Sequence, residues 1–175
     1  MNSDGLLERL LAVIPGDSVG RYDLLPVFMD TKLFADIVKY LSLPYVGNID
    51  YVAAPEAIGW VLGNAMANEL NVGFIPVRRG GKLPYPKEVI ISQSYVDYSG
   101  DEKVLEIKKS YAHSRNRILI VDEWVETGAS LRCCMDLFKQ FNCIVVGLAT
   151  IGIDSNDVTK EWLDTGFIKY IGKDI

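Results

Sequence analysis

Apolar positions along this chain fall into alternating strand-like and helix-like segments. Short apolar runs bounded by turn residues predict buried strands, and longer segments with helical spacing predict helices. The predicted strands span 51–54, 72–77, 118–121, 143–151 and 168–171. The predicted helices span 6–14, 31–41, 57–70, 130–141 and 159–163. Segments 89–92 and 95–98, with a return strand at 105–107, predict a hairpin or flap.

This alternation predicts an α/β fold with a mostly parallel sheet flanked by helices. The 175 residues contain no repeat and no linker, and they suffice for one domain with its own core. Ligands in such folds bind at the carboxyl ends of the strands. We therefore expect the functional residues in the turns that follow strands 51–54, 72–77 and 118–121.

Composition narrows the class of protein. Hydrophobic residues make up 49% and charged residues 23%, as in soluble globular proteins. No apolar run approaches the roughly 20 residues that span a bilayer, and the first residues lack the basic start of a signal peptide, so neither a membrane nor secretion is expected. The net charge of −5 argues against a nucleic-acid partner. The three cysteines lack metal-ligand spacing with His113, which predicts free thiols in the reducing cytoplasm.

Segment 118–130 carries the strongest chemical signal. An apolar strand is followed by Asp122 and Glu123, and then by a turn of small and polar residues that opens a helix. Carboxylates can accept hydrogen bonds from vicinal ribose hydroxyls and can hold hydrated Mg²⁺. Free N–H groups at a helix start can cradle a phosphate, and small residues let the backbone approach it. The segment predicts a sugar-phosphate site, although a plain strand exit with a helix cap is the alternative.

Three other polar groups have both a functional and an ordinary interpretation. Arg78, Arg79 and Lys82 form a local basic cluster, which is either an anion site in an acidic protein or a solvated loop. Pro55 and Glu56 form either a ligand-binding turn or a simple strand-to-helix connection. Asp97 is either a functional acid or part of an exposed hairpin turn. The residues alone leave these alternatives open.

Segment 118–130 resembles the phosphoribosyl-diphosphate (PRPP) signature of type I phosphoribosyltransferases. Other segments are similar to the adenine-specific group of that family, in the family's order and over roughly residues 20–150. Residues 50–60 resemble the diphosphate loop, and 72–79 with 82–84 resemble the following strand and basic loop. Residues 94–98 with 105–107 resemble the flexible flap, and 22–30 resemble the hood over the base.

The resemblance implies a type I phosphoribosyltransferase fold, with a small N-terminal hood at about 1–35, a core at about 36–175 and a flexible flap. It also implies transfer of 5-phosphoribosyl from PRPP to a purine base with release of diphosphate, as in purine salvage. A Mg²⁺ cofactor and a homodimer follow from the same resemblance. A receiver-like signalling domain is a further α/β alternative, but its additional phosphoacceptor Asp and late Lys cannot be placed in this chain.

The resemblance also assigns roles to residues. Asp122 and Glu123 would hold the ribose hydroxyls and the metal, and Asp97 or Glu126 would be the general acid/base. The 5′-phosphate would be held by Glu126, Thr127, Gly128, Ala129 and Ser130. The diphosphate would be met by Pro55, Glu56, Arg78, Arg79 and Lys82. The base would be met by Arg21 and Tyr22.

Three positions depart from the family pattern. Ile58 stands where an Arg is common, Glu123 replaces the second Asp, and Arg21 replaces the aromatic residue that stacks on adenine. These departures support an alternative function, a non-catalytic PRPP- or nucleotide-binding regulator. Arg21 and Glu126 together also favour a 6-oxo purine over adenine, because Arg21 would donate to a carbonyl oxygen and face adenine's amino group as a like donor.

Overall fold

The computed structural model describes residues 3–14, 22–97 and 100–175. The helices are α1 (Ser3–Leu11), α2 (Leu25–Met29), α3 (Thr31–Ser42), α4 (Gly59–Leu70), α5 (Ala129–Lys139) and α6 (Asp157–Asp164). The strands are β1 (Tyr51–Pro55), β2 (Gly73–Arg79), β3 (Ile90–Val96), β4 (Glu102–Lys108), β5 (Arg117–Val125), β6 (Ile144–Ile153), β7 (Ile168–Lys169) and β8 (Gly172–Lys173).

One sheet organises the molecule, with the strand order β3-β4-β2-β1-β5-β6-β7 and with β8 also paired to β6. Pairs among β2, β1, β5, β6, β7 and β8 are parallel. The β3–β4 hairpin joins the edge of β2 in an antiparallel sense. The predicted fold class, a mostly parallel sheet flanked by helices, is confirmed.

The sheet is covered on both faces, as its nearly continuous apolar strands require. Successive residues of a strand point to opposite faces. Leu119 and Val121 of β5 accordingly pack in a core with α1, α3 and α4, whereas Ile118 and Ile120 pack in a second core with α5 and α6. The predicted division into a hood at 1–35 and a core at 36–175 stays a prediction, although Leu6 and Leu10 of α1 share the first core with α3 and α4.

Small residues let α4 lie close to the sheet. A side chain at Gly63 would place its Cβ 2.8 Å from the Cβ of Ala54 and 2.9 Å from the ring of Phe74. A Cβ at Gly59 would lie 2.8 Å from Oδ1 of Asp122. The first turn of α4 therefore lies directly beside the acid pair.

The structure corrects two details of the predicted elements. Residues 89–92 and 95–98 were expected as separate segments, but β3 runs unbroken through Ile90–Val96 and pairs with β4 along its whole length. The acids were expected after their strand, but β5 continues to Val125 because β6 extends beside it and pairs Asp122 with Thr150. The short helix α2 was not predicted.

None of the described helices combines the length and apolar character that crossing a membrane requires.

Asn156 connects α6 to the turn before α5. Its side-chain oxygen accepts hydrogen bonds from the N–H groups of Val158 (2.9 Å) and Thr159 (3.1 Å). In return, the hydroxyl oxygen of Thr159 accepts a hydrogen bond from the N–H of Asn156, which completes a capping box. Its Nδ2 donates to the carbonyl oxygen of Glu126 at 2.8 Å. One side chain therefore caps a helix and fixes the start of the 126–130 turn.

We predict that Asn156→Ala lowers the free energy of unfolding by about 1–2 kcal/mol, because the cap acceptor is lost. Asn156→Asp keeps that acceptor and should cost less. Urea denaturation would measure both. The matched control is Asn68→Ala on the exposed surface of α4, where alanine has the higher helix propensity and no loss is expected. Equal losses at both sites would contradict the capping role.

Candidate active site

The described residues form a cleft of about 620 Å³ at the carboxyl ends of the parallel strands. Four segments line it: residues 55–58 after β1, Arg79 at the end of β2, positions on the β3–β4 hairpin, and residues of the 122–130 segment. The cleft therefore lies where the sequence placed the functional turns. It contains most of the predicted site residues.

Asp122 and Glu123 form an adjacent acid pair in the lining of this cleft, with Asp122 buried and Glu123 half-buried. Asp122 is only 8% exposed. Its carboxylate accepts hydrogen bonds from the N–H of Glu123 (3.1 Å) and the hydroxyl of Ser130 (3.3 Å). Burial raises the pKa of Asp122 well above its usual range, and the neighbouring Glu123 raises it further. Oε2 of Glu123 is buried with no hydrogen-bond partner among the described residues. The pair is poised to accept donors from a ligand.

The acid pair supplies too few ligands for a metal cage made by protein alone. Among the described residues, no group of three or more His, Cys, Asp or Glu side chains could hold a metal ion. Mg²⁺ usually keeps several waters and binds through one or two carboxylates together with substrate phosphates. The two adjacent carboxylates, with one unpartnered buried oxygen, fit a hydrated ion that arrives with a phosphate ligand.

The 126–130 turn presents the start of α5 to the cleft. Gly128 is the N-cap residue and, as a glycine, has no side chain to cap the helix. The N–H of Ala129 donates a hydrogen bond to the hydroxyl oxygen of Thr127 at 3.3 Å. The N–H groups of the first turn and the positive end of the helix dipole therefore suit a phosphate.

The structure gives Gly128 a reason in addition to the expected close approach of a phosphate. Its φ is +79°, a conformation that favours glycine. A Cβ there would lie about 3.0 Å from Trp162 and Val158 of α6. The small residue thus permits the turn and its packing against α6, and a substitution would strain the fold as well as the phosphate site.

The structure separates the three predicted diphosphate-binding cations. Arg79 lines the cleft. Nε of Arg78 lies 2.8 Å from Oε2 of Glu56, and its guanidinium lies 5.3 Å from the centre of the Trp60 ring. Lys82 is exposed and is not among the described residues that line the cleft. Arg78 therefore braces the turn that contains Pro55 and Glu56, both of which do line the cleft.

Asp97 is both a hairpin-turn residue and a cleft residue. Its carboxylate accepts a hydrogen bond from the N–H of Asp101 (3.2 Å), and its Oδ2 lies 3.5 Å from Nζ of Lys103. The two interpretations of Asp97 left open by the sequence are therefore compatible. Lys103 also lines the cleft, and sequence reasoning missed it. The sequence did contain a signal for Lys103. It lies two residues before Leu105 of the predicted return strand, and residues two apart in a strand share a face.

An aromatic pair lies at the side of the cleft. The ring of Tyr22 stacks on that of Trp124, with centroids 5.3 Å apart and planes at 28°. Trp124 lines the cleft and lies over Gly152, where any Cβ would come within 2.3 Å of its ring. The predicted base-site residue Arg21 lies outside the described residues. Glu126 is exposed and lines the cleft.

Known proteins resemble this chain in sequence and in fold. Residues 30–169 match the phosphoribosyl transferase domain family. An adenine phosphoribosyltransferase from Jannaschia sp. (strain CCS1) is 35% identical over 152 residues, covering 86% of this chain and 82% of that protein. One from Leuconostoc citreum (strain KM20) is 38% identical over 104 residues, and the match spans 59% of this chain and 57% of that protein.

A solved structure agrees with the sequence relatives. The crystal structure of adenine phosphoribosyltransferase from Thermoanaerobacter pseudethanolicus superposes with a TM-score of 0.83 at 30% identity, covering 95% of this chain and 99% of that one. The cleft described above thus occurs in a chain whose family is established over most of its length. The chain belongs to the phosphoribosyltransferase family.

Proposed function

We propose that this protein transfers the 5-phosphoribosyl group of PRPP to a purine base and releases diphosphate, as in purine salvage. The observation that carries the proposal is the adjacent Asp122–Glu123 pair, with Asp122 buried, beside the N-terminus of α5 in one cleft. That arrangement matches a ribose with a 5′-phosphate. Membership of the phosphoribosyltransferase family and the adenine-specific relatives support the same reaction.

Each part of PRPP has a matching feature. The ribose hydroxyls would donate to Asp122 and Glu123, and the 5′-phosphate would accept from N–H groups of the 126–130 turn. The diphosphate would lie towards the 55–58 turn and Arg79. Mg²⁺, when bound with PRPP, would supply charge neutralisation for the diphosphate. These assignments account for the acids and for the open helix start.

The proposed reaction requires little covalent chemistry from the protein itself. A ring nitrogen of the base forms a bond to C1 of the ribose as the bond from C1 to the diphosphate oxygen breaks, and the base then gives up a proton. Developing positive charge on the ribose is stabilised by nearby carboxylates, and orientation in a closed cleft supplies much of the remaining effect. Asp97 and Glu126, which both line the cleft, are the candidate acids for accepting the proton. We favour Asp97, because its side chain is 17% exposed whereas Glu126 is an exposed residue.

Adenine is the first candidate for the base, because the relatives are adenine phosphoribosyltransferases. The sequence expectation of a 6-oxo purine rests on Arg21 and Glu126 and stays a prediction. Trp124, which lines the cleft with Tyr22 stacked on it, suits both cases, since every purine has a stacking face.

We also propose a cytoplasmic homodimer. All three cysteines are free thiols, as in proteins of a reducing compartment. Large apolar side chains are exposed at Leu25 (56%), Met29 (82%), Leu43 (67%) and Val46 (64%), and such side chains commonly enter subunit interfaces. Sedimentation equilibrium would measure the assembly directly.

The function is tested by turnover of PRPP with Mg²⁺ against adenine, hypoxanthine, guanine and xanthine. We expect release of diphosphate with adenine as the best substrate. A preference for a 6-oxo purine would keep the reaction and overturn the choice of base. PRPP binding without turnover on any base would overturn the enzymatic proposal and favour the regulator.

We predict that Asp122→Asn weakens PRPP binding by at least about tenfold, since a charge-assisted bond contributes roughly 1.5–3 kcal/mol. Its melting temperature should stay equal or rise, because a buried charge beside another acid is removed. Calorimetric titration and thermal unfolding would measure the two effects. The control Asp36→Asn removes a carboxylate that lies 2.6 Å from Arg9, outside the cleft, and should leave PRPP affinity unchanged. Failure of Asp122→Asn to fold would show a structural role instead.

We predict that Asp97→Asn lowers kcat by roughly a hundredfold, the lower range for loss of a general acid or base. Asparagine keeps the oxygen that accepts from the N–H of Asp101, so the hairpin turn should persist. Glu126→Gln is the parallel variant, and its kcat should fall much less. Steady-state kinetics with saturating PRPP would compare them, and a larger fall in Glu126→Gln would transfer the role to Glu126.

A further inference from the structure

The cleft carries an excess of negative charge. Among the described residues that line it, six are carboxylates and two are cations, Arg79 and Lys103. The carboxylates are Glu56, Asp97, Asp101, Asp122, Glu123 and Glu126. A diphosphate group would add several more negative charges to this environment. Each cation that can reach the group therefore matters for its affinity.

Few other groups can supply that charge. Arg78 is engaged with Glu56 at 2.8 Å. Ile58, which lines the cleft beside that turn, presents an uncharged side chain. Arg79 at the end of β2 and Lys103 on the hairpin thus remain as the cations of the described cleft lining.

Lys103 is held in a way that permits exchange of its partners. Its Nζ lies 3.0 Å from Asp101 and 3.5 Å from Asp97, and its side chain is 43% exposed. Exposed ion pairs of this kind add little stability and are easily exchanged. Lys103 pairs with Tyr95 across the hairpin, and both line the cleft. The ammonium group therefore lies in the cleft lining at the end of a flexible side chain.

We propose that Lys103 binds the diphosphate group of the substrate and exchanges its contacts with Asp97 and Asp101 for that group. In the ligand-free protein the two acids hold the ammonium group in place. The diphosphate has a higher charge density than one carboxylate, so it competes for the ammonium group. The exchange also removes the lysine from Asp97, the acid favoured above for proton transfer. This inference rests on the proposed function and assigns one residue within it.

We predict that Lys103→Met weakens binding of inorganic diphosphate with Mg²⁺ by about tenfold, as expected for loss of one charge-assisted contact. The KM for PRPP should rise similarly, while affinity for AMP, which lacks the diphosphate, should change little. The control is Lys139→Met, which removes a lysine that lies 2.8 Å from Asp136 at the far end of α5. Calorimetry and steady-state kinetics would measure these values.

Asp101→Asn should have the opposite effect, with tighter diphosphate binding, because it removes a competitor for the ammonium group. That gain should largely vanish in the Lys103→Met background, as a double-mutant cycle would show. An equal gain in both backgrounds would mean general charge repulsion and would overturn the exchange. Wild-type turnover with unchanged diphosphate binding and KM in Lys103→Met would overturn the assignment and leave the proposed function standing. Absent wild-type turnover would overturn the proposed function, while diphosphate calorimetry would still decide Lys103.

Discussion

The site depends on two adjacent carboxylates held at the end of a buried strand. Asp122 and Glu123 lie between the first turn of α4 and the start of α5, and the charge of Asp122 is strongly disfavoured by burial. The hydroxyl of Ser130 and the N–H of Glu123 donate to Asp122 and offset part of the cost of burying its carboxylate. The unpartnered oxygen of Glu123 leaves capacity that a ribose diol or a hydrated cation can use.

The helices and turns around the acid pair hold it in place. Glycines at the face of α4 let that helix approach the sheet, and Gly59 leaves space beside Asp122. Asn156 holds the carbonyl of Glu126 and caps α6, so the turn before α5 is anchored to the neighbouring helix on the same face of the sheet. Rigid support on this side leaves the β3–β4 hairpin as the part of the cleft wall that carries exchangeable ion pairs.

Charge balance distinguishes this cleft from a simple anion pocket. Acids outnumber cations among its described lining residues, and several of the acids are already engaged in ion pairs. In the proposed exchange, ligand binding rearranges these contacts through Lys103 of the hairpin. In the proposed reaction, a hydrated cation that arrives with the substrate would need only one or two carboxylates from the protein, which is what the acid pair offers.

The sequence alone determined the fold class, the main alternation of strands and helices, and the acid-rich segment that leads into the 126–130 turn, because hydrophobic period and local turn chemistry are properties of neighbouring residues. Tertiary structure decided the pairing of Arg78 with Glu56, the stacking of Tyr22 on Trp124 and the placement of Lys103. It also decided the length of β5, which continues because β6 extends beside it, and the need for glycine at 128, which packs against α6. Contacts between residues far apart in the chain leave no local period, so only the folded arrangement reveals which charges reach the cleft.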